Sequence, residues 1–258
     1  MQRLLKLLGL ARWGADELAI AFVSCGFAAY ALSIWVHPVA AIVPLWPLAI
    51  IVWFFRDPTR APDRSPWSKP DIYCSPADGT VSDIEEVDEP LFIKGKALRI
   101  GIFLSPLNVH VNRTPCSGAV HFIKYAAGEF LPAYNKEAPN RNESVTMGLL
   151  TPSGLPIVVK QITGVLARRI VCDAQIGDTL MAGERYGMIK FGSRTEIYVP
   201  VGAAPVSLVK IGDKVVGGET EFCRVPEKAC VPPVLVAEPD VLLPSAVAAS
   251  PASTVGAS

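Results

Sequence analysis

The stretch YGMIKFGSRTEIYVP, residues 186–200, reads as a short strand, a Gly192-Ser193 step and a second strand in which Thr195, Glu196, Ile197, Tyr198 and Val199 alternate. A serine at that step is not on a strand-to-helix elbow, and no G-x-S-x-G frame surrounds it. Two readings stay open. Gly and Ser are ordinary turn formers, so Ser193 can be a turn residue. It can also attack the carbonyl of its own Gly192, which would make the chain build its own reactive group.

Outward from this stretch, residues 72–225 are strand after short strand. Residues 97–104 suit a largely buried strand, residues 120–125 alternate loosely, and residues 155–162 and 206–211 are rich in β-branched side chains. Turn signals fall at Pro76-Ala77-Asp78-Gly79, Pro152-Ser153-Gly154, Ile176-Gly177-Asp178 and Ile211-Gly212-Asp213. The two Ile-Gly-Asp turns suggest repeated hairpins but no long periodic array. Only residues 128–141 look helical or irregular. The expected fold is mainly β, a barrel-like β-sandwich catalytic domain carrying an N-terminal hydrophobic helical hairpin.

That hairpin comes from two apolar runs, residues 18–35 and 39–55, separated by His37-Pro38. Each is about the length that crosses a bilayer core, the second only just. Trp35 and Trp46 are placed as interfacial anchors, and Pro44 and Pro47 weaken the second run as a clean spanning helix. Arg3, Lys6 and Arg12 precede the first run; Arg56, Arg60 and Arg64 follow the second. Basic residues at both ends put both ends, and the β domain, on the cytoplasmic side of the cell membrane. A cleaved signal peptide does not fit, since no A-x-A-like site follows the first run. A hairpin buried in a soluble core, or a re-entrant one, is the alternative. The chain therefore divides into a hairpin (1–55), a linker rich in Pro, Arg, Asp and Ser (56–70), the β domain (71–225) and a Pro/Ala-rich tail (226–258) that composition marks as flexible.

Twenty-four Lys and Arg balance 24 Asp and Glu, so no bulk charge calls for nucleic acid. The six cysteines, Cys25, Cys74, Cys116, Cys172, Cys223 and Cys230, form no C-x-x-C pair, and the three histidines lie far apart, so no metal pattern is expected. Free thiols are the reading for the cysteines.

Six segments, in order, carry a resemblance. They are Phe54-Phe55-Arg56-Asp57-Pro58, Ser75-Pro76-Ala77-Asp78-Gly79, the run 103–113 ending in His110-Val111-Asn112-Arg113, Asn140-Arg141-Asn142-Glu143, Ala167-Arg168-Arg169-Ile170, and Gly183-Glu184-Arg185-Tyr186-Gly187 leading into Phe191-Gly192-Ser193. Over residues 50–225 the chain resembles the short form of the phosphatidylserine decarboxylase proenzymes. The resemblance implies a pyruvoyl enzyme. Ser193 would attack Gly192, and the chain would part into a large piece, 1–192, and a small one, 193–258, that stay together as a heterodimer; a homo-oligomer of that heterodimer is left open. A pyruvoyl group made from Ser193 would then form a Schiff base with membrane phosphatidylserine and accept electrons as CO2 leaves, without a metal.

The resemblance also assigns roles. His110 is the proton-transfer candidate, since an imidazole exchanges protons near neutrality. Asp78 supports self-cleavage by positioning a base. Long-form members carry a second histidine three residues after the first, where this chain has Arg113. His110 then serves both steps, or Asp78 with water serves the first. Arg113 and Arg194 are candidate phosphate binders, with Arg168 and Arg169 beside them; a plain structural charge is the competing reading for each. His37 and His121 are read as structural. Two other functions are weighed: a pyruvoyl decarboxylase of a different amino-bearing substrate, and a membrane-anchored β-barrel binding module that never cuts itself.

Overall fold

The computed structural model describes residues 2–60, 69, 71–133, 135, 137–165, 169–190 and 193–226. Residues 61–68 and 70 of the linker, Phe191, Gly192, Arg168 and the tail from residue 227 lie outside the described residues.

After α1 (Gln2–Leu7), α2 (Ala15–Trp35) runs 21 residues, about 31 Å at 1.5 Å per residue, which matches a bilayer core. The chain turns at His37, whose Nδ1 accepts the Val39 N–H at 3.2 Å, and passes a 3-10 turn at Pro38–Ile42. It returns through α3 (Leu45–Phe54). The second run is thus shorter as a helix than its apolar length promised. Proline lacks an N–H and clashes with the preceding turn, so Pro44 and Pro47 fit only ahead of α3 and in its first turn. Among the described residues one helix, within the span Arg12–Trp35, is long and apolar enough to cross a membrane. Along α2 only Leu18 and Ala21 are buried, which a helix in a soluble core would not tolerate. The two ends of the hairpin are clasped: Leu10 and Arg56 form an antiparallel bridge, the Ala11 N–H donates to the Phe55 carbonyl at 2.7 Å, and the Asp57 N–H donates to the Gly9 carbonyl at 2.6 Å.

The rest is mainly β, with one short helix, α4 (Ala138–Arg141), and a 3-10 turn at Val201–Ala203; the strands in chain order are β1 (Ile72–Cys74), β2 (Gly79–Glu89), β3 (Gly95–Leu104), β4 (Val111–Arg113), β5 (Gly118–Ala126), β6 (Ser144–Leu150), β7 (Pro156–Thr163), β8 (Arg169–Cys172), β9 (Thr179–Leu180), β10 (Arg185–Lys190), β11 (Ser193–Pro200), β12 (Val206–Ser207), β13 (Lys214–Val215) and β14 (Glu221–Arg224). A curled eight-stranded sheet has the order β13-β2-β3-β11-β7-β6-β5-β9; two small sheets, β4-β10-β8 and β1-β14-β12, complete the wall. The main core fills the curl with Ile100, Ile102, Leu104, Met147, Leu149, Ile157, Val159, Ile197, Val199 and Phe222. The expected strand at 206–211 closes after two residues, because the Ile-Gly-Asp turn already begins at Lys210.

The two ends of the large sheet are built alike. Residues 75–81 read Ser-Pro-Ala-Asp-Gly-Thr-Val, and residues 114–120 read Thr-Pro-Cys-Ser-Gly-Ala-Val. Each packs against an Ile-Gly-Asp turn that continues to Gly-Glu: residues 211–219 for the first, 176–184 for the second. In both turns the aspartate accepts the N–H three residues back at 2.8 Å, Lys210 to Asp213 and Gln175 to Asp178. In both, the glycine takes a positive φ, +94° at Gly212 and +97° at Gly177, which disfavours any residue with a Cβ. Val81 exchanges backbone bonds with Gly212 and Asp213, and Val120 does the same with Gly177 and Asp178. The units also bond each other reciprocally: Arg113 N–H to the Pro76 carbonyl at 2.9 Å, Cys74 N–H to the Pro115 carbonyl at 2.8 Å. The β domain therefore carries the same local unit twice, once at each end of its large sheet.

A second apolar cluster joins the hairpin to this domain. Leu5, Leu10, Ala11, Leu18, Phe54 and Phe55 pack with Val109, Val111 and Met188. At about 2 kcal/mol for each fully buried large apolar side chain, Leu10, Leu18, Phe54 and Phe55 alone hold the hairpin base against the domain, so it is docked rather than merely tethered.

Candidate active site

Ser193 opens β11, opposite Leu104 on β3 and Thr163 on β7. It is wholly buried, and its Oγ has no hydrogen-bond partner among the described residues. A buried hydroxyl left unpaired costs about 1–3 kcal/mol, so this one marks a site or a strained step rather than a satisfied turn residue. Gly192, the other half of the expected cleavage pair, lies outside the described residues.

Alternation along β11 sends neighbouring side chains to opposite faces. Ile197 and Val199 enter the main core, while Tyr198 packs in a separate cluster with Phe92, Ala97 and Val158. Thr195 shares the Ser193 face. It accepts a hydrogen bond from Asn112 Nδ2 at 3.0 Å, and Asn112 Oδ1 accepts one from Gln161 Nε2 at 2.8 Å. This wholly buried chain of polar groups joins the residues two beyond His110 and two beyond Ser193, and so locks β4 against β11.

His110, just ahead of β4, is also wholly buried. Its carbonyl accepts the Ile189 N–H at 3.3 Å, on the strand that leads into Gly192. Its Nδ1 lies 2.9 Å from the Asn108 carbonyl. A carbonyl only accepts, so Nδ1 carries the proton and Nε2 is the basic nitrogen. Phe54 packs on the imidazole with ring centroids 4.5 Å apart. Burial pushes the His110 pKa down to about 4; the Asn108 carbonyl works against that shift and the Arg56 charge adds to it. The ring is therefore neutral at pH 7, as a general base must be.

Asp78 stands in the first turn unit. Its carboxylate accepts the Gly217 N–H at 2.8 Å and is gripped by Arg60 at 2.9 and 3.0 Å. Arg56 connects it electrostatically to the histidine: Asp78 favours the Arg56 charge, and that charge disfavours protonation of His110.

The two candidate phosphate binders are occupied elsewhere. Arg113 is buried, donates to the Gly183 and Pro58 carbonyls at 3.0 and 3.2 Å, and pairs with Asp57 at 3.2 Å. Burial, then the neighbouring Arg185, lower its pKa to about 10. Arg194 projects from the face of β11 opposite Ser193, into Asp83 and Glu196 at 2.6 and 2.7 Å and Ser82 at 2.8 Å. Gly101 makes its room, because a Cβ there would stand 2.1 Å from Nη2. The structure thus buries both His110 and Ser193, joins the segments that carry them through the Asn112–Thr195 bond, holds Asp78 with Arg60 and the Gly217 N–H, and turns Arg194 to the other face of β11. Arg169 is exposed on β8, and Arg168 lies outside the described residues.

Four residues that sequence reading passed over belong to this region. Asp57, read as linker, holds both Arg113 and Arg185. Arg60, also read as linker, is the partner of Asp78. Asn112 carries the bond to Thr195. Lys190, buried three residues before Ser193, pairs with Glu17 of α2. The signal for Asp57 was the Arg56-Asp57-Pro58 motif itself, since an unstructured linker needs no fixed sequence; Arg60 carried no such signal. Among the described residues no group of His, Cys, Asp and Glu is placed to hold a metal, and the five cysteines are unpaired.

Residues 48–222 match the profile of the family described as phosphatidylserine decarboxylase. Curated relatives named phosphatidylserine decarboxylase proenzyme include those of Symbiobacterium thermophilum, 40% identical over 80% of this chain and 93% of that protein, and Salinibacter ruber, 43% identical over 69% and 77%. A third, from Carboxydothermus hydrogenoformans, is 46% identical over 68% of this chain and 79% of that protein.

Proposed function

The chain belongs to the phosphatidylserine decarboxylase family, and on that premise we propose that it cuts itself between Gly192 and Ser193 and then removes CO2 from the serine headgroup of phosphatidylserine to give phosphatidylethanolamine. The observation that carries this reading is the buried Ser193 Oγ at the head of a central strand, which has no hydrogen-bond partner among the described residues. Without a competing acceptor among them, the hydroxyl suits attack on the preceding carbonyl.

In that step Ser193 Oγ bonds to the Gly192 carbonyl carbon, the peptide C–N bond breaks, and the hydroxyl proton passes to the freed nitrogen. Loss of the residue 193 Cα proton expels the Gly192 carboxylate and leaves dehydroalanine. Water converts this to a pyruvoyl group and ammonia. That group supplies an electron sink for the carbanion left when CO2 departs. Its carbon skeleton would come from Ser193 and its keto oxygen from the water that releases ammonia, so the residue present fits the group.

His110 is the proposed proton carrier: neutral, with Nε2 basic, on the strand bonded against β10. Asp78 is a positioning carboxylate that acts through Arg56 and Arg60 rather than by contact. Burial of Ser193 and His110 keeps bulk water from competing. Arg113 is proposed to hold the hairpin exit rather than the lipid phosphate. The clasped apolar hairpin supports placement of the β domain at the cytoplasmic face of the membrane, where a lipid headgroup is within reach. The small piece, 193–258, stays with the large one as a heterodimer.

The test is the intact mass of purified protein and of Ser193→Ala, with phosphatidylserine and free serine as substrates. Two pieces, the smaller beginning with a pyruvoyl mass, and phosphatidylethanolamine formed only from the lipid, are expected. The variant should stay whole and inactive. A wild-type chain that remains uncut in lipid would sink the reading and favour a binding module.

A further inference from the structure

Anchoring a domain to a membrane requires a tether and nothing more, yet this hairpin reaches the residues around Ser193 at three points. Phe54, the last residue of α3, lies against the His110 imidazole and meets Phe55 edge-on at 5.0 Å. Lys190 is buried, pairs with Glu17 in the first turn of α2, and sits 5.8 Å above the Phe55 ring. Arg56 stacks on Trp53 at 4.2 Å and donates to the Trp53 and Leu107 carbonyls at 2.9 and 2.6 Å. The last bond holds the turn closed by Asn108, whose side chain accepts the Ser105 N–H at 2.9 Å and whose carbonyl faces His110. Thus the floor under the histidine and the anchor of the strand entering the scissile bond both come from the hairpin.

We propose that the base of the hairpin is part of the self-cleaving site, with Phe54 positioning His110 and the Glu17–Lys190 pair positioning the strand that delivers Gly192 and Ser193. Maturation then requires a docked hairpin before any substrate is bound. The chain couples the two events: a molecule whose hairpin has not seated does not generate its reactive group. This rests on the reading of Ser193 as self-cleaved.

The experiment follows cutting of newly synthesised full chain in phosphatidylcholine–phosphatidylglycerol vesicles, which hold no substrate, by intact mass over time. Variants are Phe54→Ala, Phe54→Leu, Glu17→Gln and, as a control, Phe22→Ala, a lipid-facing position 53% exposed. Phe54→Ala is expected to slow cutting by about tenfold, the loss that roughly 1.4 kcal/mol of misplacement produces. It should still pellet with vesicles, and Phe54→Leu should restore most of the rate. Glu17→Gln should slow cutting several-fold, and Phe22→Ala should cut like wild type. Should Phe54→Ala lose the melting transition of the β domain, Glu17→Gln becomes the deciding variant, since it alters one partly exposed side chain. Wild-type rates in both Phe54→Ala and Glu17→Gln would overturn the proposal. A wild-type chain that never cuts would overturn it together with the reading of Ser193, and so is told apart from failure of the hairpin coupling alone.

Discussion

The two ends of the large sheet share one construction and differ in chemistry. In each, a side chain at the third position after the Ser or Thr accepts a backbone N–H from the facing turn. Asp78 takes the Gly217 N–H at 2.8 Å, and Ser117 takes the Ala182 N–H at 3.0 Å. A serine suffices for the turn, so the carboxylate of Asp78 is more than the turn needs, and Arg60 is there to balance it. The strand entering each unit differs further. Where one copy has Asp71, Tyr73 and Cys74, the other has His110, Asn112 and Arg113. Among the described residues Asp71 gives its carbonyl to Val225 and a partly exposed ion pair to Arg224. His110 gives its carbonyl to Ile189 in the same way and adds a buried imidazole. What the copies share is scaffold; what they do not share is where the proposed chemistry lies.

Exchanging corresponding residues tests this. The largest effect is expected at His110→Ala, a loss of about 10²–10⁴ in decarboxylation, the range of a removed acid–base group. Its counterpart Asp71→Ala should change the rate less than twofold; equal losses would erase the distinction between the copies. Next is pH. In the unfolded chain a histidine takes its proton near its ordinary pKa of about 6.5, whereas buried His110 refuses it until about 4. Between these values the unfolded state holds more protons, so stability falls as pH falls from about 6.5 to about 4, by on the order of 3 kcal/mol in full. Urea titrations across that window should show the slope in wild type and lose it in His110→Gln.

Asp78→Ser, which copies the Ser117 arrangement, strands the buried Arg60 with Glu219 at 3.6 Å, so it should lower the melting temperature and slow self-cutting about tenfold, whereas Arg60→Gln should lower the melting temperature with less effect on cutting. Unchanged cutting would demote the carboxylate to a turn residue. The smallest effect belongs to Ser117→Ala: about 1 kcal/mol of stability for one hydrogen bond, seen in the urea midpoint, with maturation unaffected.

Part of this was legible in the chain. The Gly192-Ser193 step between strands, the paired Ile-Gly-Asp turns and the apolar hairpin are local patterns, and local patterns survive without coordinates. The repeated unit was legible too, as Pro-x-x-Gly-x-Val twice and Ile-Gly-Asp through Gly-Glu twice, although only the turns stand out by eye. Arg194 is instructive: strand alternation alone puts it on the face away from Ser193, where the structure finds it among Asp83 and Glu196. The rest depends on contacts far apart in sequence. Asp57 looks like linker until Arg113 and Arg185 meet it. Glu17 and Lys190 stand 173 residues apart, and nothing near either predicts the other.

Strand β11 pairs along its full length with β3 and over six residues with β7. A cut just before Ser193 therefore makes a new chain end in the middle of a sheet, not at its rim. On the proposed self-cutting, the small piece would behave as a fragment complementing its parent: severed covalently, it would still be woven in by backbone bonds on both sides. The nick would add chain entropy to the unfolded state, so the mature molecule should melt lower than its uncut precursor, and once unfolded it should not reassemble as readily. Maturation would then be a one-way passage, in which the protein gives up part of its own ability to refold for the creation of one reactive carbonyl.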